Sequence, residues 1–203
     1  MGSRFVLLPG WHMKKTIFSR WPLQAAISSL VIFGWLFPAY GEKPISPGMN
    51  LPQFLLASPE TEDARKYLGL KDADPFPLSR ISAKLIMLDV FYVLCLPCQK
   101  QTPDINKIFE LIKQDSELAK NVKIIGLGIR SNREKLRAFK TTFRVKYPLI
   151  PDEDNAIYSK IGEPPIPFII VADSKGQVLM THQGPFKNAE EFFDQIKKLF
   201  KGR

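Results

Sequence analysis

Cysteine and histidine are both scarce in this chain of 203 residues, which contains two of each. His182 is the only histidine beyond the first forty residues, so a hydrolase triad, which needs a histidine base, has no good candidate. Both cysteines, Cys95 and Cys98, fall within one tetrapeptide. A bridge between them would close almost no loop entropy. Stabilisation by disulfides is therefore a poor explanation of the pair, and redox or metal chemistry is a better one.

Internal repeats and low-complexity tracts are missing from the chain. Gly126 and Gly128 begin a pattern typical of dinucleotide-binding loops, but Ser131 stands where its third glycine belongs. We therefore interpret both as glycines of a strand. The composition is that of a globular protein, with 45% hydrophobic and 24% charged residues. The length suits one domain with a short extension.

The apolar run near the N-terminus, residues 25–37, is short for a membrane span, which needs about 20 residues. A basic segment at 13–20 precedes it, and Ala39-Tyr40-Gly41 follows with small residues at the two positions that a signal peptidase reads. The pattern predicts a signal peptide over residues 1–41 and a mature chain that begins near Glu42. The predicted location is the periplasm or another exported compartment, and an uncleaved membrane anchor is the alternative.

Positive charge exceeds negative charge, with 29 basic and 20 acidic residues. Residues 1–41 hold four of the basic residues and no acidic one, so the mature chain keeps 25 against 20, a net charge of +5. Met13 is an alternative start, because the residues before it add nothing that a signal peptide needs. The remaining charges of both signs alternate along helical stretches. This favours a solvated surface, and we expect no nucleic-acid partner.

Hydrophobic periodicity predicts strands that alternate with helices in one domain at 51–203, after a Pro/Gly-rich lead-in at 42–50. The predicted strands cover residues 84–94, 122–129, 168–172 and 177–181. The predicted helices begin at Ser58, near the cysteines, after a capping box of Ser131 and Glu134, at Asp154, and at Asn188. The helix near the cysteines is expected to run to about Ala119. Alternating βα units followed by a hairpin predict an α/β fold with a mixed central sheet flanked by helices.

The tetrapeptide Cys95-Leu96-Pro97-Cys98 follows a predicted buried strand and opens an amphipathic helix. Unpaired N–H groups and the helix dipole at that point favour a thiolate. A cysteine so placed can have its pKa lowered from about 8.5 to between roughly 3.5 and 7.5. We expect Cys95, the exposed member, to be the nucleophile, and Cys98, one turn further in, to resolve the mixed disulfide.

The segment LDVFYVLCLPCQKQTP resembles the active-site segment of the thioredoxin superfamily. Asp89 lies six residues before Cys95, where thioredoxins carry a buried carboxylate, and Pro103 lies eight after it, where they kink the helix. Ile166-Pro167, at the start of a strand, resembles the cis-proline loop of the family. The resemblance implies a thioredoxin-like fold.

The stretch between the cysteines and this loop is longer than in small thioredoxins, and it contains the phrase YPLIPDEDNAIYSKIG. Together with the export signal, it resembles the TlpA/ResA-like redoxins of the bacterial periplasm. An extra helical insertion between Ser131 and Gly162, before the cis-proline loop, would account for the length. The resemblance implies a thiol–disulfide oxidoreductase whose redox group is the Cys95–Cys98 disulfide itself, with no other cofactor and no metal.

The resemblance also implies a groove in which Leu94, Leu96 and Phe168 dock an extended client segment beside Ile166-Pro167. Leu94 replaces the usual aromatic residue and Phe168 the usual threonine, so client specificity does not carry over from the family. The expected partners are exported proteins with cysteine pairs, an apocytochrome c among the candidates. A membrane electron donor is also expected. Proline before the second cysteine is typical of reducing members, so reduction is the expected direction.

Asp89 is the lone charge of an apolar strand, where an ionised carboxylate is costly unless it is paired. Desolvation should raise its pKa and so suit it to accept a proton from Cys98. The alternative is that Asp89 points to a polar rim and has no role.

Two other functions remain on the same fold. A Sco-like copper protein would use two thiolates for Cu(I), but that family spaces its cysteines CxxxC and places a histidine near the cis-proline loop. A peroxiredoxin would carry a threonine three residues before its attacking cysteine, where this chain has Tyr92. Thiol–disulfide exchange is therefore the preferred hypothesis.

Overall fold

The computed structural model describes residues 43–202, so the predicted signal peptide and the alternative start at Met13 lie outside the described residues. Within that part of the chain, no helix has both the length and the apolar character needed to cross a membrane. The strands are β1 Leu85–Phe91, β2 Val122–Ile129, β3 Leu149–Asp152, β4 Phe168–Asp173 and β5 Val178–Gln183. The helices are α1 Glu62–Leu68, α2 Leu96–Gln114, α3 Ser116–Asn121, α4 Arg133–Thr142, α5 Ala156–Lys160 and α6 Ala189–Lys201.

The five strands form one mixed sheet in the order β3-β2-β1-β4-β5. The first three strands are parallel to one another, whereas β4 is antiparallel to both β1 and β5. Every residue of β1 and of β2 is buried. Parallel strands covered on both faces carry near-continuous apolar sequence, which is why these two were readable from the sequence. The predicted mixed sheet flanked by helices is confirmed.

Alternation along β1 divides the core into two layers. Ile86, Leu88 and Val90 belong to the cluster that includes the lead-in and α1 residues. Leu85, Met87 and Phe91 belong to the opposite cluster, together with the buried faces of α2 and α6. Asp89 has the parity of this second set, so the strand directs the only acid of β1 towards α2.

The sequence pattern predicts four strands and a helical insertion, and it does not indicate the edge strand β3. Residues 131–162 instead fold as helix, strand and helix. Only four residues long and containing Pro151, β3 has too little pattern to be recognised. Pro151 is tolerated there because an edge strand does not need every N–H for pairing.

Three predicted helix starts were wrong by a residue or more, and the helix predicted from Asp154 begins at Ala156 after the N-cap Asn155. The N-cap of α1 is Thr61, whose side chain accepts a hydrogen bond from the amide of Ala64, while Ser58 lies buried upstream. The N-cap of α4 is Asn132, because the hydroxyl of Ser131 turns back and donates to the carbonyl of Ile129. Asn188 caps α6 as predicted.

The helix near the cysteines is also shorter than predicted. It ends at Gln114, and Asp115 then accepts hydrogen bonds from the amides of Glu117 and Leu118. This new cap starts α3, which delivers the chain to β2. The break is local and leaves the predicted apolar stripe of α2 in place.

The lead-in is bonded to the rest of the fold. Ile45 is buried, and its amide donates to the carbonyl of Ile161 at 3.0 Å. The amide of Gly48 donates to the carbonyl of Val178 at 2.8 Å. The domain boundary at residue 51 stays a prediction.

Candidate active site

The end of β1 places the two cysteines at the start of α2. The strand ends at Phe91, and Cys95 is the N-cap of the helix. The amide of Cys95 donates to the carbonyl of Tyr92 at 3.0 Å, and the side-chain amide of Gln99 donates to the carbonyl of Val93 at 2.8 Å. These bonds fix the connecting turn and therefore the position of the first cysteine.

The cysteine pair is oxidised, with the Cα atoms of Cys95 and Cys98 5.2 Å apart. The Sγ atom of Cys95 accepts a hydrogen bond from the amide of Cys98 at 3.3 Å. A thiolate at this position would receive the same bond and lie at the positive end of the helix dipole. The N-cap geometry therefore favours the ionised form of Cys95, as the sequence predicted.

The two sulfur atoms differ in access. Cys95 is partly exposed, whereas Cys98 is only 3% exposed and belongs to the core cluster between β1 and α2. An incoming disulfide can therefore reach Cys95 and cannot reach Cys98. This asymmetry fits the predicted division into nucleophile and resolving cysteine.

Two exposed leucines flank the accessible cysteine. Leu94 is 73% exposed and Leu96 is 58% exposed. Such side chains lie in solvent at an energetic cost of roughly 25 cal/mol per Å² of apolar area. They provide an apolar rim beside Cys95 in the chain, and their predicted role in docking a client stays a prediction.

The Ile166-Pro167 peptide bond is cis, as the resemblance implied. The loop lies at the same end of the sheet as the cysteines, because Phe168 pairs with Val90 near the end of β1. The amide of Gly184 donates to the carbonyl of Pro167 at 2.9 Å and ties the loop to the end of β5.

The described positions of the loop residues change the predicted docking groove. Ile166 is partly exposed, but Pro167 is buried and Phe168 is only 5% exposed. The Phe168 side chain packs in the core cluster on the opposite side of the sheet from α2. The prediction that it lines the groove is therefore wrong for its side chain, because the first residue of a central strand is used for packing.

Asp89 is buried, with 3% of its surface exposed, so the alternative in which it lies at a polar rim is wrong. The hydroxyl of Tyr147 donates to its Oδ2 atom at 3.0 Å. Its Oδ1 atom has no hydrogen-bond partner among residues 43–202. Burial raises the pKa of Asp89 to about 7, and the hydrogen bond from Tyr147 opposes this rise. A carboxyl group in this state can both accept and release a proton near neutral pH.

Two residues of the site were missed in the sequence. Tyr147 is separated from Asp89 by 58 positions, and no local pattern connects them. Gln101 lies one turn after Cys98 on the buried stripe of α2 and is 1% exposed. Neither of its side-chain polar atoms has a partner among the described residues. A glutamine on a helical stripe that is apolar from Ile105 onward is a signal that the sequence offers.

The described residues hold no group of three or more His, Cys, Asp or Glu side chains placed to share a metal ion. His182 lies inside β5, which extends to Gln183, two residues beyond the predicted strand at 177–181. Its half-buried ring packs against Phe186 and Phe192, at centroid distances of 5.0 and 5.6 Å.

The redoxin family model matches residues 47–196. The match covers most of the chain, including both cysteines, Asp89 and the cis-proline loop. The chain therefore belongs to the redoxin family.

Individual relatives indicate which kind of redoxin the chain resembles. A thiol-disulfide oxidoreductase ResA of Bacillus thuringiensis subsp. konkukian is 24% identical over 158 residues, which cover 78% of this chain and 81% of the relative. A putative thiol:disulfide interchange protein DsbE of Chlorobium tepidum superposes with a TM-score of 0.59 at 19% identity, covering 76% of this chain and 97% of that one. A secreted Mycobacterium tuberculosis disulfide oxidoreductase homologous to E. coli DsbE gives 0.53 at 15% identity, covering 72% and 96%.

The structural neighbours establish the thioredoxin-like fold. Together with the family match and the oxidised CxxC pair, the relatives make this chain a TlpA/ResA-like thiol–disulfide oxidoreductase.

The raised pKa of Asp89 predicts a pH-dependent effect of Asp89→Asn on stability. Because the folded protein holds this proton up to about pH 7 and the unfolded chain loses it near 3.8, wild-type stability falls as pH rises through that window. The variant has no carboxyl group at this position, so its stability does not fall through that window. We expect similar free energies of unfolding near pH 4 and a gain of about 2–4 kcal/mol for the variant above pH 7.5.

Urea unfolding of the oxidised proteins at pH 4, 6 and 8 measures this difference. The exposed Asp194 of α6 supplies the matched control, Asp194→Asn, which should show no such gain. A gain for Asp89→Asn of equal size at all three pH values would contradict the proposed ionisation.

Proposed function

We propose that this protein reduces disulfides of exported client proteins through the Cys95–Cys98 pair. The observation that carries the proposal is the placement of a partly exposed Cys95 at the helix N-cap above a buried Cys98. The first sulfur meets the client, and the second is held where only the first can reach it. This arrangement supports a two-step exchange without a further cofactor.

The exchange begins when the Cys95 thiolate attacks one sulfur of a client disulfide, which forms a mixed disulfide and releases one client thiolate. Cys98 then loses its proton and attacks the Sγ atom of Cys95. This step breaks the mixed disulfide, releases the second client thiolate and forms the Cys95–Cys98 disulfide. Two electrons pass to the client, and the released thiolates take up protons.

Asp89 is the proposed acceptor of the proton from Cys98. It lies on the face of β1 that packs against α2, and burial holds its pKa near 7. A buried thiol cannot deliver its proton directly to water, so an internal base on the strand face that packs against its helix would speed the second step.

The proposed docking surface for the client consists of Leu94 and Leu96, which flank Cys95 in the sequence, and Ile166, which precedes Pro167 in the cis-proline loop. An extended client segment could cover the two exposed leucines while its cysteine reaches Cys95. Burial of apolar area would then contribute to the affinity. Clients with apolar residues next to a cysteine pair are the expected class, and an apocytochrome c awaiting haem is one candidate.

The proposed direction, reduction, requires a supply of electrons. The periplasm is kept oxidising by kinetics, so a reductant there needs a membrane protein that carries electrons across and re-reduces the Cys95–Cys98 disulfide. The exported location rests on the signal-like pattern of residues 1–41 and on the secreted relative.

Export predicts that the mature protein begins at Glu42, because the peptidase-type residues Ala39-Tyr40-Gly41 directly precede it. N-terminal sequencing of protein recovered from the exported fraction tests this. An intact N-terminus in the membrane fraction would show that residues 1–41 remain as an anchor.

The division of labour between the cysteines predicts opposite results for two variants. Cys98→Ser should accumulate covalent mixed disulfides with clients, because nothing resolves the Cys95 linkage. Cys95→Ser should capture nothing, because Cys98 is buried. Non-reducing electrophoresis and mass spectrometry of captured proteins measure this, with the double variant as control. Capture by Cys95→Ser alone would reverse the roles.

The proposed direction predicts a reduction potential for the Cys95–Cys98 pair well below about −200 mV, since oxidants of the DsbA kind lie near −120 mV. Equilibration with glutathione or dithiothreitol buffers, followed by thiol alkylation, gives the value. A potential near that of the oxidants, with efficient oxidation of a reduced client peptide, would overturn reduction as the direction and leave the exchange chemistry intact.

A further inference from the structure

The hydroxyl group of Tyr147 is one of the most deeply buried polar groups of the protein. Tyr147 is 1% exposed, and its hydroxyl donates to the Oδ2 atom of Asp89 at 3.0 Å. Within residues 43–202 this is the hydrogen bond that the Asp89 side chain receives, because Oδ1 has no partner there. The two oxygens of the carboxyl group therefore differ: Oδ2 accepts a hydrogen bond from Tyr147, and Oδ1 accepts none from residues 43–202.

The ring of Tyr147 reaches Asp89 because the adjacent strand carries a glycine. Gly126 of β2 pairs directly with Asp89. A Cβ atom at Gly126 would lie 3.2 Å from Cε2 of Tyr147 and 3.1 Å from Cε1 of Phe91, and it would overlap the Leu149 side chain. The absence of a side chain at this position provides the space in which the Tyr147 ring lies beside the carboxyl group.

The segment that carries Tyr147 is also fastened to the active-site helix. Asn106 of α2 accepts a hydrogen bond from the amide of Lys146 at 3.0 Å and donates to the carbonyl of Arg144 at 3.1 Å. The ammonium group of Lys140 donates to the carbonyl of Tyr147 at 3.1 Å. The position of Tyr147 is therefore set relative to the same helix that carries Cys98.

We propose that Tyr147 is a positioning residue for the exchange reaction: its hydroxyl holds one oxygen of Asp89 and leaves the other oxygen free to take the proton of Cys98. This role rests on the proposed function of the cysteine pair. It adds a third residue, far away in the sequence, to the proton-handling part of the site.

The chemistry of the contact supports this role. A hydroxyl that donates to a carboxylate favours its ionised form, while burial favours the protonated form, and the pKa of Asp89 reflects both effects. Without the hydroxyl the pKa would rise further. The carboxylate would then form only at higher pH, and Cys98 would lack its acceptor at neutral pH.

The surroundings of Asp89 provide no described cation to replace this hydroxyl. Its neighbours across the sheet are Gly126 on β2 and Ile169 on β4, with His182 of β5 one strand further along the same row. On the buried stripe of α2 the titratable group is Cys98, and the buried faces of α4 and α6 are apolar. The ammonium group of Lys140 binds the Tyr147 carbonyl and not the carboxyl group.

Tyr147→Phe tests the proposal, because it removes one oxygen atom and keeps the ring over Gly126. The reduced protein is mixed with a synthetic peptide that contains one disulfide, at pH values from 6 to 9. Acid-quenched mass spectrometry then follows the mixed disulfide and its resolution. We expect the pH profile of resolution to move up by about one unit. Resolution at pH 7 should slow by about threefold to tenfold, with recovery near pH 9.

Two comparisons separate this role from a structural one. Tyr67 packs against the same core cluster, and its hydroxyl accepts a hydrogen bond from the amide of Ile124 at 2.9 Å. Tyr67→Phe removes this hydroxyl and should leave the pH profile of resolution unchanged. In an Asp89→Asn background, Tyr147→Phe should produce no further change in the profile, because no carboxyl group remains to be held.

The outcomes distinguish failure of the positioning role of Tyr147 from failure of the proposed disulfide reduction. If wild-type protein exchanges thiols with the peptide and Tyr147→Phe keeps the wild-type profile, the positioning role is overturned alone. An equal slowing by Tyr147→Phe with and without Asp89 would also overturn it. If wild-type protein reduces no disulfide at any pH, the proposed function fails and the positioning role fails with it.

Discussion

The burial of one carboxyl group in the central strand is the constraint on which the site depends. Asp89 lies in the middle of β1, a strand whose seven residues are all buried. An ionised carboxylate there would be costly in free energy without compensation, and among residues 43–202 the compensation is one hydroxyl at 3.0 Å. The strand thus holds a group whose pKa of about 7 lies close to neutral pH, on the face of the sheet that packs against the helix carrying the cysteines.

The same strand fixes the rest of the site. Its carboxyl end delivers the turn to Cys95, and its pairing with β4 brings the start of that strand, and so the cis-Pro167 loop, to the same end of the sheet. A cysteine at a helix N-cap, an apolar rim and a buried carboxyl group are therefore consequences of one strand and its neighbours. Loops alone would not hold these groups at reproducible distances.

The parts of the fold that the sequence predicted well are those with continuous local patterns. A stretch of about a dozen residues is enough to recognise each of them: the apolar runs of β1 and β2, the apolar stripe of α2 and the Asn188 cap. The missed strand β3 has four residues and contains Pro151, so its existence depends on pairing with β2 and not on its own pattern. The sequence places Phe168 next to Pro167 and therefore beside the groove, but it does not indicate the direction of the Phe168 side chain. Only the register with Val90 shows that it points into the core.

The contact between Tyr147 and Asp89 belongs to a kind of information that a single sequence does not carry. It needs a glycine on β2, a tyrosine before β3 and an acid on β1, three positions that meet only when the sheet has formed in the order β3-β2-β1. Taken alone, each residue indicates only a common role: Gly126 a glycine within a strand, Tyr147 a residue of the hydrophobic core, and Asp89 an isolated acidic residue in a strand. Their chemistry arises from the register of β1 with β2, because a slip of one residue would turn Asp89 to the other face of the sheet and bring its carboxyl group away from both Tyr147 and Cys98.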